Sequence, residues 1–177
     1  LFLDRDGVIN QDIGYLYRPQ DFSFISGIFQ LCRKATRSGY KIVIVTNQSG
    51  IARGYYTLEQ FNYLATWMTH QFWSQGVKID HINYCPHHPQ VSGFWGRACC
   101  CRKPRPGMII QSAQKFHLSL SQSVMVGDKL SDMVAARQAG ISRRFLFQPE
   151  SQVNARFHRP DKRFQRVFHL NEIETYL

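Results

Sequence analysis

Asp4 and Asp6 stand two residues apart in Asp4-Arg5-Asp6-Gly7, directly after a short apolar run from Leu1 to Leu3. An ionised carboxylate is a competent nucleophile toward phosphorus, and a second one nearby can protonate a leaving oxygen and later take a proton from water. The same four residues also suit an ordinary turn, since Asp and Gly are common turn formers. A second polar run, Thr46-Asn47-Gln48-Ser49-Gly50, follows the apolar stretch that ends at Val45. Its neutral donors suit phosphate oxygens, and a plain polar loop is the alternative. A third, Gly127-Asp128-Lys129, follows Ser123 to Val126, with Asp132 four residues beyond Asp128. Magnesium favours hard oxygen ligands and takes only one or two carboxylates from most proteins, so Asp4 and Asp128 form a candidate pair. Asp132 falls one helical turn later, where it also suits a helix N-terminus. Lys103, in Cys101-Arg102-Lys103-Pro104-Arg105-Pro106, either neutralises a phosphoryl group or belongs to a solvated basic loop.

From Cys85 to Pro106 the chain holds four prolines, two glycines, four cysteines and two histidines, too irregular a stretch for an ordinary connection. Cys85, His87, Cys99 and Cys101 form a C-x-H…C-x-C set of three thiols and one imidazole. That is the ligand number and softness of a closed structural zinc site. His88 and Cys100 are possible substitute ligands, and free thiols in a surface loop are the alternative.

The groups need elements to hold them. Short β-branched runs alternate with amphipathic stretches, which predicts an α/β fold: a Rossmann-like three-layer sandwich with a mainly parallel sheet. Strands are expected over Leu1 to Leu3, Lys41 to Thr46, His81 to Tyr84, Ser123 to Val126 and Arg143 to Phe147, with a weaker one at Arg166 to Phe168. Helices are expected over Gly27 to Ser38, Thr57 to Gln75, Gly107 to His117 and Leu130 to Ala139; Thr57 and Gln60 form a capping box. In such sheets ligands bind beyond the carboxyl ends of the strands, where the reactive runs fall. Only the short stretch from Gln11 to Phe24 is available as a cap, so no large cap is expected and the site should be open. Cys32, Trp67, Phe72 and Trp73 are expected to pack within or against the core.

A chain of 177 residues with 44% hydrophobic and 14% aromatic content suits one domain, 1–177, with a real core. Its 22 basic and 12 acidic residues leave a charge of +10, which suggests nucleic acid, an anionic membrane or a phosphorylated small molecule as partner. No apolar run approaches the ~20 residues of a membrane span, and the opening residues lack the order of a signal peptide. Five cysteines, three of them adjacent at 99–101, make a poor disulfide framework. A cytoplasmic protein is expected. The positive charge gathers around the cysteine loop and again at Arg143, Arg144, Arg156, Arg159, Lys162, Arg163 and Arg166.

The order and content of these motifs resemble the haloacid dehalogenase-like phosphotransferases, whose pattern is Asp-x-Asp, a Ser or Thr after the second core strand, a Lys and a late acidic pair. Within that superfamily, DRDGVIN at 4–10, VTNQSGIARG at 45–54, CPHHP at 85–89, CRKPRPGM at 101–108 and VGDKLSDM at 126–133 are similar to the bacterial heptose bisphosphate phosphatases. The resemblance implies a magnesium-dependent phosphatase. It would remove the C7 phosphate of D-glycero-D-manno-heptose 1,7-bisphosphate through an aspartyl-phosphate, on the route to activated heptose for lipopolysaccharide core. It assigns Asp4 as nucleophile, Asp6 as acid and base, and Thr46 and Lys103 as holders of the phosphoryl group. Mg2+ would sit on Asp4, Asp128 and the Asp6 main-chain carbonyl, and Zn2+ on Cys85, His87, Cys99 and Cys101. Asn47, Gln48, Ser49, Arg53, Arg102 and Lys129 would bind a phosphorylated sugar; a monomer is expected, with no nucleic acid and no membrane as partner. Three features depart from the pattern: Cys100 inside the Cys-x-Cys, Val8 where Thr is common, and the basic C-terminal end. The histidinol-phosphate phosphatases are similar at DRDG and the zinc loop but lack the SGIARG continuation. A polynucleotide 3′-phosphatase would lack the zinc loop, and in a zinc-stapled nucleic-acid-binding module Asp4, Asp6 and Asp128 would repel the phosphate backbone.

Overall fold

A computed structural model of the chain describes residues 1–149 and 163–177. Arg156, Arg159 and Lys162 of the second basic cluster lie outside the described residues. In chain order the elements are β1 (Phe2–Leu3), α1 (Ile28–Arg37), β2 (Val43–Asn47), α2 (Leu58–Ser74), β3 (His81–Cys85), α3 (Gly107–Phe116), β4 (Val124–Gly127), α4 (Leu130–Ala139), β5 (Arg143–Phe147) and β6 (Gln165–Val167). The strands form one sheet in the order β3-β2-β1-β4-β5-β6, and every pairing is parallel.

Alternation along each strand divides the core between the two faces. Leu3, Ile44, Val126 and Phe145 pack with Leu31, Cys32, Leu64, Met68 and Phe72 from α1 and α2. Their neighbours Phe2, Val43, Val45, Met125 and Leu146 pack with Met108, Ile109, Met133 and Ala136 from α3 and α4. The result is the expected three-layer sandwich, and burial on both faces explains why the strands read as continuous apolar runs. Each fully buried side chain such as Phe2 or Leu64 contributes about 1.5–3 kcal/mol of transfer free energy.

Local chemistry sets the element ends. Gln60 N–H donates to Thr57 Oγ1 at 3.1 Å and Thr57 N–H to Gln60 Oε1 at 2.8 Å, the capping box that starts α2. Gly140 closes α4 at φ 92°, a left-handed conformation that favours glycine. β2 starts at Val43 rather than Lys41 because the Ile42 N–H is taken by the Asp80 carboxylate at 2.9 Å. Of the three α2 aromatics expected to pack in or against the core, Phe72 is buried and Trp67 lies edge-on to Phe22, but Trp73 is 68% exposed. One residue beyond a core position, the helix has turned by about 100°, which carries Trp73 off the packed face.

Candidate active site and metal centre

β1 lies between β2 and β4, so the loops after these three strands meet beside the point where strand order reverses. The chain leaves β1 with Asp4 N–H still bonded to the Val126 carbonyl at 3.0 Å, and Arg5 N–H bonds Asp4 Oδ1 at 2.7 Å. Gly7 then turns at φ 85° and passes so close to the next loop that a Cβ there would lie 2.4 Å from Asp128 Oδ2. Only glycine permits both.

Lys103 stands at the centre of the acids. Its Nζ lies 2.8 Å from Asp4 Oδ2 and 2.7 Å from Asp132 Oδ1, and it donates to the Val45 carbonyl at 2.9 Å. Burial works against its charge, but Asp132 and Asp4 hold the ammonium above its ordinary range. The Lys103 main chain is fixed by one side-chain amide: its N–H donates to Asn47 Oδ1 at 3.0 Å and its carbonyl accepts from Asn47 Nδ2 at 3.1 Å. Asp132 divides its two oxygens between a helix end and Lys103. Its Oδ2 accepts the Lys129 N–H at 3.0 Å, which caps α4, while Oδ1 faces Lys103.

Ligand oxygens of Asp4, Asp128 and Asp132 lie within 4.8 Å of one another. Burial, with Asp132 and Asp128 as further repulsion against the relief from Lys103, pushes Asp4 up to about 7. Asp128 is pushed up to about 6, chiefly by burial. Asp128 Oδ1 is buried with no hydrogen-bonding partner among the described residues. Hard oxygen donors, surplus negative charge and an unpartnered carboxylate oxygen fit a magnesium ion.

Proton and cation compete for these oxygens, so magnesium affinity should rise as pH rises through about 6 to 7. Without metal, a raised carboxyl gives stability that is complete below its ordinary 3.8 and lost as pH passes 6 to 7. The magnesium-induced increase in Tm should therefore be larger at about pH 8 than at about pH 5.5. Equal increases at both pH values would contradict it.

The Asp6 carboxylate is held by four donors. Arg5 Nη2 lies 2.8 Å from each oxygen and Arg5 Nε 3.1 Å from Oδ1, while Asn10 Nδ2 and Gln48 Nε2 each approach to 3.0 Å. Arg5, itself buried, also reaches the Leu16 carbonyl at 3.1 Å and so ties the short segment before α1 to the acid.

Above these groups opens a cleft of about 640 Å³, lined by Asp12, Tyr15, Ser49, Arg102, Lys103 and Lys129 among others. Lys129 pairs with Asp12 at 2.9 Å and lies 3.5 Å from Asp128. Arg102 Nη1 donates to the His87 carbonyl at 3.3 Å. Arg53 is not among the lining residues; its Nη2 lies 3.0 Å from His88 Nε2. Thr46 is buried, and its Oγ1 accepts from Gln48 Nε2 at 2.8 Å. Both ends of the Asn47 amide are spent on Lys103, and Gln48 bonds Asp6 and Thr46. In this structure these two amides therefore hold Lys103, Asp6 and Thr46 in place.

At the end of β3, Cys85, His87, Cys99 and Cys101 come together. Cys101 Sγ lies 3.1 Å from Cys85 Sγ, 3.3 Å from Cys99 Sγ and 3.4 Å from His87 Nδ1. Cys85 Sγ lies 3.5 Å from Cys99 Sγ and 3.6 Å from His87 Nδ1. These separations far exceed the roughly 2.05 Å of a disulfide. Three sulfurs and one imidazole nitrogen around a common point match the tetrahedral donor set of zinc. The Arg102 N–H points at Cys99 Sγ at 3.4 Å, a contact that suits a thiolate. Cys100 is exposed and outside the cluster, and His88 turns to Arg53. Burial pushes the Cys85 thiol up, so loading the site would release protons.

Sequence reasoning missed Arg5, Asn10 and Tyr56. Arg5 had a visible signal, a guanidinium between two carboxylates, whereas Asn10 meets Asp6 and Tyr56 meets Gln48 through contacts that only the folded chain creates.

The HAD-hydrolase-like family profile matches residues 100–146. The chain is 48% identical over 147 residues to the D-glycero-beta-D-manno-heptose-1,7-bisphosphate 7-phosphatase of Vibrio cholerae, covering 82% of this chain and 79% of that one. It is 44% identical over 156 residues to the protein of the same name from Yersinia pestis, covering 88% and 83%. Among solved structures it is similar to the D,D-heptose 1,7-bisphosphate phosphatase from B. bronchiseptica complexed with magnesium and phosphate. That likeness has a TM-score of 0.83 at 31% identity and covers 99% of this chain and 95% of that one.

Proposed function

The chain belongs to the family of D-glycero-beta-D-manno-heptose-1,7-bisphosphate 7-phosphatases, and from that premise we propose that it removes the C7 phosphate of this sugar bisphosphate through an aspartyl-phosphate on Asp4. The observation that carries the reading is Lys103 bridging Asp4 and Asp132 beside the unpartnered Asp128 oxygen, at the carboxyl ends of β1 and β4.

Asp4 attacks phosphorus in line, and the bond from phosphorus to the C7 oxygen breaks while Asp6 gives that oxygen a proton. Water then attacks the aspartyl-phosphate and yields its proton to Asp6, releasing phosphate and restoring both carboxyl groups. To serve as acid, Asp6 must give up its Arg5 contacts and take up a proton, keeping the Gln48 amide as its hold. Lys103 and the Thr46 hydroxyl stabilise the charge on the phosphoryl oxygens. Asp4, Asp128 and the Asp6 main-chain carbonyl would hold magnesium, which supplies charge neutralisation when bound. Arg102, Lys129 and Ser49 in the cleft serve the sugar hydroxyls and the retained phosphate, and Arg53 would join them only by leaving His88.

Cys85, His87, Cys99 and Cys101 would hold zinc as a structural staple with no open position. Its effect reaches the chemistry along two short paths: Gln48 N–H bonds the Cys85 carbonyl at 2.8 Å, and Lys103 lies two residues past Cys101. One equivalent of metal per chain is expected, and Cys85→Ser or Cys101→Ser should lose it and lower turnover indirectly. Finding neither zinc nor iron in wild-type protein purified without added metal would defeat the four-ligand assignment.

We propose further that residues 1–177 form one domain that acts as a monomer in the cytoplasm, with no nucleic acid or membrane partner. Among the described residues no helix is long and apolar enough to cross a membrane. The function is tested by following phosphate release from the bisphosphate with magnesium. The product should keep its C1 phosphate, and exhaustive chelation should stop the reaction. A product that keeps the C7 phosphate instead would overturn the proposal.

A further inference from the structure

Tyr56 lies just before the capping box of α2, 4% exposed, and its hydroxyl donates to Gln48 Oε1 at 2.5 Å. On the other end of that amide, Gln48 Nε2 donates to Asp6 Oδ2 at 3.0 Å and to Thr46 Oγ1 at 2.8 Å. An amide nitrogen carries two hydrogens, and both are used here. Because the Thr46 oxygen accepts from Gln48, the hydroxyl's own hydrogen is left to point elsewhere, available to a phosphoryl oxygen. The opposite amide orientation would set Oε1 against the Asp6 carboxylate and draw the Thr46 hydrogen toward Gln48.

We propose that Tyr56 is a positioning residue for this reaction: by holding the oxygen end of the Gln48 amide, it makes one nitrogen place both the acid/base Asp6 and the phosphate-binding Thr46. The inference rests on the phosphatase reading for what Asp6 and Thr46 do. Without the phenol hydroxyl, Oε1 becomes a buried acceptor with no donor, and Gln48, which lines the cleft, gains by turning toward water. Burial pushes the phenol up to about 12, so it remains a donor at any working pH. The ring is held independently of its hydroxyl. It stacks on Tyr17 at a centroid separation of 5.6 Å, and it sits so close to Gly50 that a Cβ there would lie 2.2 Å from Tyr56 Cε1. Tyr56→Phe therefore keeps the ring packing and removes the hydroxyl, both as donor to Gln48 and as acceptor for the Gly50 N–H, and the Gln48→Ala background separates the two.

The test is a double-mutant cycle of Tyr56→Phe and Gln48→Ala on the magnesium-loaded enzyme, read with nitrogen–proton NMR of the Gln48 side-chain amide. Tyr56→Phe should lower kcat about 5- to 10-fold and leave KM within about 2-fold, and in the Gln48→Ala background it should change kcat less than about 2-fold. The Gln48 amide hydrogens should exchange slowly with solvent in the wild type and faster in Tyr56→Phe. A Tyr56→Phe loss as large in the Gln48→Ala background, a wild-type kcat, or unaltered amide exchange would overturn the proposal. Should the wild type release no phosphate from the bisphosphate, the phosphatase reading falls, while the exchange measurement still decides whether Tyr56 holds Gln48.

Discussion

Asp4→Asn should lower turnover by roughly 10⁴-fold or more and leave no trapped aspartyl-phosphate, because the amide cannot form the covalent bond. The loss should come without a loss of fold. Asp4 is buried beside Asp128 and Asp132 and pushed up to about 7, so its ionised form above that pH is a cost to the metal-free protein. Replacing it with a neutral group of the same shape should leave metal-free Tm at about pH 8 unchanged or higher. Asp6→Asn should behave differently, slowing both chemical steps by about 10²- to 10⁴-fold while the nucleophile remains. Substantial turnover in Asp4→Asn would rule out the mechanism.

Lys103→Ala should damage stability and chemistry together. The ammonium compensates two buried carboxylates, 2.8 Å from Asp4 and 2.7 Å from Asp132, and its removal leaves both without a cation. Breaking a buried charge pair on one side commonly costs about 3–5 kcal/mol, most of it the penalty of the stranded charge. Loss of a positioned cation facing the phosphoryl group should lower turnover by roughly 10²-fold or more. Lys103→Arg should not restore it, because the guanidinium fork does not fit where a compact ammonium serves Asp4, Asp132 and the Val45 carbonyl at once. Unchanged melting with unchanged turnover in Lys103→Ala would contradict the assignment.

Much of the scaffold was legible because its signals are local. The strands are apolar runs that break off at Asp4, Thr46 and Asp128, and the start of α2 is written in Thr57 and Gln60. The grouping of Cys85, His87, Cys99 and Cys101 was legible from residue type together with the resemblance to the phosphatase family, and the folded chain brings the ligand atoms of all four within 4.8 Å of one another. What the sequence could not show depends on pairing between distant segments. Asn47 clamps the main chain of Lys103 across 56 residues, and Asp132 divides its oxygens between a helix end and Lys103. Arg53 looked like a cleft residue by position, yet its side chain meets His88. Trp73 looked like packing and stands in solvent, because an aromatic residue alone does not say which side of a helix faces the core.

The most direct test of the account is a comparison of kcat/KM, with magnesium, for heptose 1,7-bisphosphate, histidinol phosphate and a 3′-phosphorylated oligonucleotide. The bisphosphate should lead clearly, because a cleft carrying Arg102, Lys103 and Lys129 can engage both ends of a doubly phosphorylated sugar and convert remote binding into turnover. A higher value for histidinol phosphate or the oligonucleotide than for the bisphosphate would contradict it.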